Sequence, residues 1–301
     1  MIFRIFHTTR FEYEVAAVNS QNEMRVKPWE RPGQRCLEFD LSADAPASIL
    51  PYQDFFGNEA HSVCVGGPHE RLTIVARSVV EKYDTAEPQY KETIFARFLE
   101  DDERRSKNYY EFLNPSQYVP FTDRLRKFFW MAHPRENEDV AEYVMRVVAY
   151  VRDQFEYETN KTSVNSSLED ILRSGGGVCQ DFAHLTTGIL RLAGVPARYV
   201  SGYLAPNAQD PSSVTQQASH AWLEAWLPGA GWVGYDPTNR CRADQRHIGV
   251  AIGRDYRDVP PLRGVYTSGG SHSTMRVDLN VEQLGESDAA AYRSQQAQQQ
   301  Q

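Results

Sequence analysis

The sequence has few cysteines, and their spacing does not favour a metal site or a disulfide framework. The 301 residues include four cysteines, which stand far apart as Cys36, Cys64, Cys179 and Cys241. No two of them have the Cys-x-x-Cys spacing of a zinc or redox site. We therefore expect neither a metal cluster nor a disulfide framework, and the motifs described below imply no cofactor.

Positive charge and long apolar runs are also scarce. The formal net charge of −8 argues against nucleic-acid binding, which favours a basic face. No apolar run approaches the roughly 20 residues that a membrane-spanning helix needs. The first residues, MIFRIFHTTRFEYE, lack the apolar segment and cleavage site of a secretory signal. We therefore expect a cytoplasmic protein that binds neither nucleic acid nor membrane.

The first part of the chain has the alternating pattern of β-strands. Polar and apolar residues alternate in four runs, separated by turn-forming stretches such as DFFGNE. These runs are residues 2–14, 35–43, 59–67 and 71–83. Several short strands with turns between them are typical of a sandwich. We predict a small β-sandwich over residues 1–82, followed by a polar joining region over residues 83–119.

The second part, residues 120–285, mixes helices with strands. Apolar residues in ENEDVAEYVMRVVAYVRDQFEYE recur at three- and four-residue intervals, which predicts an amphipathic helix. Ser167 and Asp170 have the spacing of a capping box that begins a short helix. The predicted fold class is therefore α+β. The glutamine-rich residues 286–301 are predicted to be a disordered tail.

Residues 175–185, GGGVCQDFAHL, place a cysteine where its thiol would be reactive. The glycines end the short helix, and Cys179 begins the next one. A helix amino terminus presents unpaired N–H groups and partial positive charge, which favour a thiolate and can hold a developing oxyanion. The glycines also leave room for a substrate. The structural alternative is a flexible linker beside a chemically silent thiol.

A thiolate nucleophile needs a base, and His220 has the most suitable context. HAWLEAWL alternates as a strand, PGAG turns the chain, and WVGYD returns to end at Asp236. Such a hairpin can bring Asp236 near His220. An imidazole oriented by a carboxylate is what activation of a nucleophile requires. The structural alternative is a tryptophan-rich core hairpin in which His220 is a satisfied edge residue.

The other histidines have weaker contexts. His184 lies about 140° around the helix from Cys179, so we interpret it as a structural residue. His247 and His272 lie in polar connections, where no neighbour is expected to orient an imidazole. His220 is therefore the predicted base.

These residues lie in a context that resembles the transglutaminase-like superfamily of papain-like folds. The motifs are Cys179 in GGGVCQDFAHL, His220 in SHAWLEAWLPGAGW and Asp236 in GYDPTN. GVPARYVSGYL is similar to the same core, and HTTRFEYE and DFFGN resemble the amino-terminal domain of the bacterial subfamily. HIGVAIGRDYRDVPPLRGVY is similar to the closing segment of that subfamily. The resemblance implies a papain-like transglutaminase core preceded by the small β-sandwich.

The resemblance also implies a catalytic triad of Cys179, His220 and Asp236 that transfers acyl groups through a thioester. We expect a cysteine protease or amidase that hydrolyses a peptide or protein substrate, with the β-sandwich shaping substrate access or stabilising the core. Cross-linking by a protein-glutamine gamma-glutamyltransferase is the main alternative. Two further alternatives are an arylamine N-acetyltransferase-like enzyme, which needs acetyl-coenzyme A, and a non-catalytic interaction module.

Four more residues are candidates for a substrate or oxyanion site. Tyr157 is one because animal members of the family use an upstream aromatic residue as an oxyanion donor, although a packed aromatic is the alternative. Gln180 follows the cysteine directly. Asp181 either attracts cationic groups at the mouth of the site or stabilises the helix start. Trp222 either lines a tunnel for an acceptor amine or packs in a strand face.

Overall fold

The computed structural model describes residues 1–84, 90–100, 109–158, 167–206, 219–267, 270, 272–285 and 287–292. The strands of the first third are β1 (Ile2–Met24), β2 (Gln34–Ala43), β3 (Ser48–Gln53), β4 (Glu59–Val65) and β5 (His69–Lys82). The helices are α1 (Phe95–Glu100), α2 (Asp123–Met131), α3 (Val140–Gln154), α4 (Leu168–Ser174) and α5 (Cys179–Leu192). The later strands are β6 (Glu156–Tyr157), β7 (Gly176–Gly177), β8 (Ala197–Leu204), β9 (Ser219–Leu227), β10 (Gly231–Asp236), β11 (Cys241–Arg242), β12 (His247–Gly253), β13 (Leu262–Thr267) and β14 (Ser273–Gln283).

The amino-terminal region is built on the long strand β1. Its first half pairs antiparallel with β5, and its second half pairs with β4. β2 continues the sheet beyond β5, and β3 continues it beyond β4. Apolar side chains from both halves meet in one core, which includes Tyr13, Met24, Val63, Leu72 and Ile74. The predicted β-rich amino-terminal region is therefore confirmed.

The last two strands belong to this same region. β14 pairs with the first half of β1, from Phe3 opposite Gln283 to Tyr13 opposite Ser273. β13 pairs with the second half of β1. The predicted division into a sandwich over residues 1–82 and a core over residues 120–285 is wrong here, because pairing between distant strands leaves no local sequence signal.

Part of the predicted disordered tail is helical. Residues 287–292 are helical, and Ala289 is 9% exposed in an apolar cluster with Ile2 and Leu284. The prediction of disorder from residue 286 is therefore wrong for this turn, because its apolar side chains pack against β1. Residues 286 and 293–301 of the predicted tail lie outside the described residues.

The core is a five-stranded sheet covered by helices. The strand order is β11-β10-β9-β8-β12. α5 packs on β9 and β8, and α3 packs on α5. The predicted amphipathic helix corresponds to α3, and its apolar face is buried as expected. The predicted capping box is also present, because the side chains of Ser167 and Asp170 each accept the other residue's backbone N–H at the start of α4.

Side-chain amides of the amino-terminal region complete the outer edge of β12. Gln34 accepts the N–H of Gly249 at 2.9 Å and donates to its carbonyl at 2.8 Å. Asn58 does the same for Ile252, at 2.8 and 2.7 Å. Each side-chain amide thus makes the two hydrogen bonds that a residue of a neighbouring strand would make. These bonds join the amino-terminal region to the core sheet along β12.

The sequence contains no apolar run long enough to span a membrane as a helix. Among the residues that the structure describes, no helix combines the length and apolar character needed to cross a bilayer.

Gly202 lies at a close approach between neighbouring strands of the core. It lies opposite His220 in the β8–β9 pair. A Cβ atom here would lie 2.2 Å from the carbonyl oxygen of Ile248 and 2.5 Å from the ring of Trp222. Neither neighbour can move freely, since one is backbone and the other is a buried ring.

Gly202→Ala should therefore lower the free energy of unfolding by about 2 kcal/mol or more, as expected for overpacking. Urea unfolding measures this change. The matched control is Gly66→Ala, because a Cβ atom at Gly66 meets nothing within 4 Å. Equal stability of the two variants would contradict the prediction.

Candidate active site

Cys179 is the first residue of α5, as the sequence predicts. Val178 precedes it in extended conformation, and its N–H donates to Asp181 Oδ2 at 2.9 Å. A Cβ atom at Gly177 would lie 2.4 Å from that same oxygen. The last glycine of GGGVC is therefore needed to make room for the helix cap. The helix start gives Cys179 a backbone N–H without an intrahelical acceptor.

The predicted hairpin brings His220 and Asp236 together. β9 and β10 pair antiparallel, with Trp226 opposite Trp232. His220 lies near the start of β9 and Asp236 at the end of β10. His220 Nε2 lies 2.7 Å from Asp236 Oδ2, which is a short hydrogen bond.

His220 is also hydrogen-bonded to the side chain of Cys179. Since Nε2 faces Asp236, Nδ1 is the ring nitrogen left for the sulfur. Burial opposes protonation of His220, but the hydrogen bonds to Asp236 and Cys179 outweigh burial and raise its pKa to about 10. The imidazolium form therefore prevails at neutral pH. A cation beside a thiol stabilises the thiolate, the nucleophilic form.

Asp236 is a fully buried carboxylate surrounded by donors. Burial alone would raise its pKa, but hydrogen bonds from His220 and His247 hold the pKa well below its usual range. Oδ1 accepts the backbone N–H groups of Thr238 and Asn239, at 2.9 and 3.2 Å. Oδ2 accepts the side-chain amide of Asn239 at 2.6 Å in addition to the two histidines. Asp236 is therefore anionic and fixed in orientation.

One histidine assignment agrees with the structure and another does not. His184 is buried, and its Nε2 accepts the N–H of Tyr256 at 3.1 Å, which fits the structural role expected for it. His247, expected in a polar connection without a partner, is instead buried at the start of β12. Its Nε2 lies 3.0 Å from Asp236 Oδ2. The expectation failed because burial of His247 depends on strands distant in sequence, although the apolar run IGVAI that follows it indicates a buried strand.

His220, Asp236 and His247 are the group of potential metal ligands found among the described residues. Their ligand atoms lie within 4.8 Å of one another. A carboxylate offers about four lone-pair positions, and five donors already point at Asp236. This saturation favours hydrogen bonding over metal coordination.

The four additional candidates lie around the triad but are mostly buried. Tyr157 pairs with Gly177 through β6 and β7, and its ring stacks on Phe182 at 6.2 Å. Gln180 and Asp181 are 7% and 1% exposed, and Trp222 is 2% exposed. Asp181 therefore lies at the helix cap and away from the mouth of a site. Trp222 packs beneath His220, with ring centroids 6.0 Å apart.

Comparison with known proteins finds matches along the chain. Residues 132–237 match the transglutaminase-like superfamily, and residues 3–81 match the bacterial transglutaminase-like N-terminal region. The uncharacterized protein ML0607 of Mycobacterium leprae is 34% identical over 279 residues, which are 92% of this chain and 96% of that protein. A protein-glutamine gamma-glutamyltransferase of Pseudomonas aeruginosa is 31% identical over 133 residues, which are 42% of this chain and 19% of that protein. A crystal structure from Cytophaga hutchinsonii, provisionally named as a cysteine protease, has a TM-score of 0.73 at 23% identity and covers 95% of this chain and 92% of its own.

Cys179 should be the first of the cysteines to be alkylated at neutral pH. Cys179 begins α5 and is hydrogen-bonded to His220, whereas burial raises the pKa of Cys36 and of Cys241 to about 11. Brief treatment with iodoacetamide followed by mass spectrometry measures the order of labelling. The urea-unfolded chain is the control, since all cysteines should then react alike. Earlier labelling of Cys36, Cys64 or Cys241 in the folded protein would contradict the prediction.

Proposed function

Because this chain belongs to the transglutaminase-like superfamily, we propose that it is a cysteine-dependent acyl-transfer enzyme that cleaves peptide or amide bonds. The observation that carries the proposal is the hydrogen-bonded series Cys179, His220 and Asp236. The partner of the proposed enzyme is a peptide or protein substrate, and the reaction needs neither nucleic acid nor a membrane. As the sequence predicts, we place the reaction in the cytoplasm.

The first half of the reaction forms the thioester. The thiolate sulfur of Cys179 attacks the carbonyl carbon, and the carbonyl oxygen becomes an oxyanion. The backbone N–H of Cys179, at the first position of α5, is a suitable donor to this oxyanion. The carbon–nitrogen bond then breaks, and the imidazolium of His220 gives its proton to the leaving amine. The acyl group remains on the sulfur.

The second half releases the acyl group. His220 is now neutral and removes a proton from water, whose oxygen attacks the thioester carbon. The carbon–sulfur bond breaks, a carboxylic acid leaves, and the thiolate–imidazolium pair forms again. Asp236 stays ionised throughout, fixes the imidazole tautomer and stabilises the imidazolium.

Transfer to an amine is the second candidate reaction. The Pseudomonas aeruginosa relative, a protein-glutamine gamma-glutamyltransferase, favours it. An enzyme of that type must admit a lysine amine to the thioester and keep water away. Trp222 and Trp226 are 2% and 4% exposed and pack in the core, so neither offers surface to such a tunnel. We therefore favour hydrolysis.

Asp236→Asn tests the orienting role of the carboxylate. The amide has one acceptor oxygen and no charge, so its NH₂ group faces either His220 and His247 together or the backbone N–H groups of Thr238 and Asn239. In both orientations the imidazolium of His220 loses its counter-charge. Turnover should fall by about 10²–10⁴-fold, as for loss of the orienting carboxylate in other triads. Steady-state kinetics measure turnover, and thermal melting verifies folding. A folded variant of near-normal rate would reject the role.

Hydrolysis and transamidation are separated by offering both acceptors at once. A glutamine-containing peptide and a peptide library are incubated with and without cadaverine, and products are identified by mass spectrometry. We expect cleaved or deamidated products to exceed amine adducts. Cys179→Ala should abolish both reactions, whereas Cys241→Ala, outside the triad, should abolish neither. Amine incorporation faster than hydrolysis would overturn the hydrolase assignment and leave the thioester mechanism standing.

A further inference from the structure

His247 lies in the site, but the proposed reaction gives it no step. Its side chain is 1% exposed, and its ring centroid lies 6.0 Å from that of His220. Its Nε2 reaches Asp236 Oδ2, the oxygen that also accepts from His220. An ionised carboxylate only accepts hydrogen bonds, so Nε2 of His247 carries the hydrogen.

The ring of His247 is held on its other side as well. Nδ1 lies 2.9 Å from Asp244 Oδ1 and 3.0 Å from the backbone nitrogen of Asp244. The ring of Trp222 packs edge-on against His247, with centroids 5.3 Å apart. The same ring of Trp222 stacks on His220. The contacts at both ring nitrogens and the packing against Trp222 therefore hold His247 in a single orientation.

The backbone of His247 is tied to the amino-terminal region. Its carbonyl accepts Lys82 Nζ at 2.8 Å, and Lys82 ends β5. Two residues further along β12, Gln34 holds both polar backbone groups of Gly249. The start of β12, and with it the imidazole of His247, is thus located by contacts from a different part of the fold.

We propose that His247 is a positioning residue for the triad, an inference that rests on the proposed function. Its Nε2–H holds the shared oxygen of Asp236 toward His220 and stabilises the buried charge. His247 touches no substrate, and no proton passes through it. Through β12, it connects the amino-terminal region to the orienting carboxylate.

His247→Phe keeps a planar ring and removes both nitrogens. We expect kcat to fall by about 10–100-fold with KM unchanged, as loss of a hydrogen bond to a charged group predicts. His247→Gln can restore a donor to Asp236 and should recover most of the loss. The matched control, His69→Phe, removes a buried histidine that bonds to Ser20 and should leave kcat unchanged.

Two readouts need no substrate and separate this proposal from the proposed function. In His247→Phe, nuclear magnetic resonance titration should show a lower pKa of His220, and iodoacetamide should label Cys179 more slowly. The other titratable groups around the pair are Cys179 on α5, Asp236 on β10, Cys241 on β11, Asp244 before β12 and Lys82 on β5. The substitution replaces none of them, but it should raise the pKa of Asp236 and of Asp244, because hydrogen bonds to His247 lower both.

Asp244→Asn is a second variant, for the case in which His247→Phe does not fold. The side chain of Asp244 is 47% exposed, so the substitution should be tolerated, and it should cause a smaller change in the same direction. If no acyl transfer is found for the wild type, the titration and labelling still decide the positioning role. A folded His247→Phe with wild-type titration of His220 and wild-type labelling overturns it. So does a His247→Gln that is as impaired as His247→Phe.

Discussion

The buried charge of Asp236 is the constraint on which the site depends. A carboxylate without solvent is tolerated only when donors satisfy it. Here the donors come from β9, from the start of β12 and from the turn that follows Asp236 itself. The same hydrogen bonds that make the charge tolerable also fix its direction. The hydrogen bonds that stabilise the fold around Asp236 are therefore the same bonds that orient His220.

This requirement explains why the two regions of the chain share a boundary. β12 is the last strand of the core sheet, and an edge strand leaves backbone groups unpaired. The amides of Gln34 and Asn58 satisfy those groups with side chains of the amino-terminal region. Because β12 begins with His247, which is hydrogen-bonded to Asp236, this strand joins the boundary to the triad carboxylate. The amino-terminal region therefore contacts the strand that carries His247, although it supplies none of the three triad residues.

Local patterns in the sequence predict much of the core and the placement of the triad residues. The apolar face of α3, the capping box at Ser167 and the hairpin that carries His220 and Asp236 all follow from spacing over a few residues. The positions of β13 and β14, and the burial of His247, depend on pairing between distant segments, which spacing does not encode. His247 also follows Asp244 and Arg246, whose charges suggest a solvent-exposed connection. The functional roles of the triad residues remain predictions, because proximity alone does not measure reactivity.

The pairing of β1 with β14 has a consequence for synthesis of the protein. β1 is translated before the core, whereas its partner from Ser273 to Gln283 is translated after the core. At translation rates of about 5–20 residues per second, one edge of β1 waits on the order of ten to sixty seconds for its neighbour. An unpaired strand edge is a template for other chains during that time. The amino-terminal region, although made before the core, can complete its sheet only after the core has been synthesised, so we expect chaperones to protect the nascent chain.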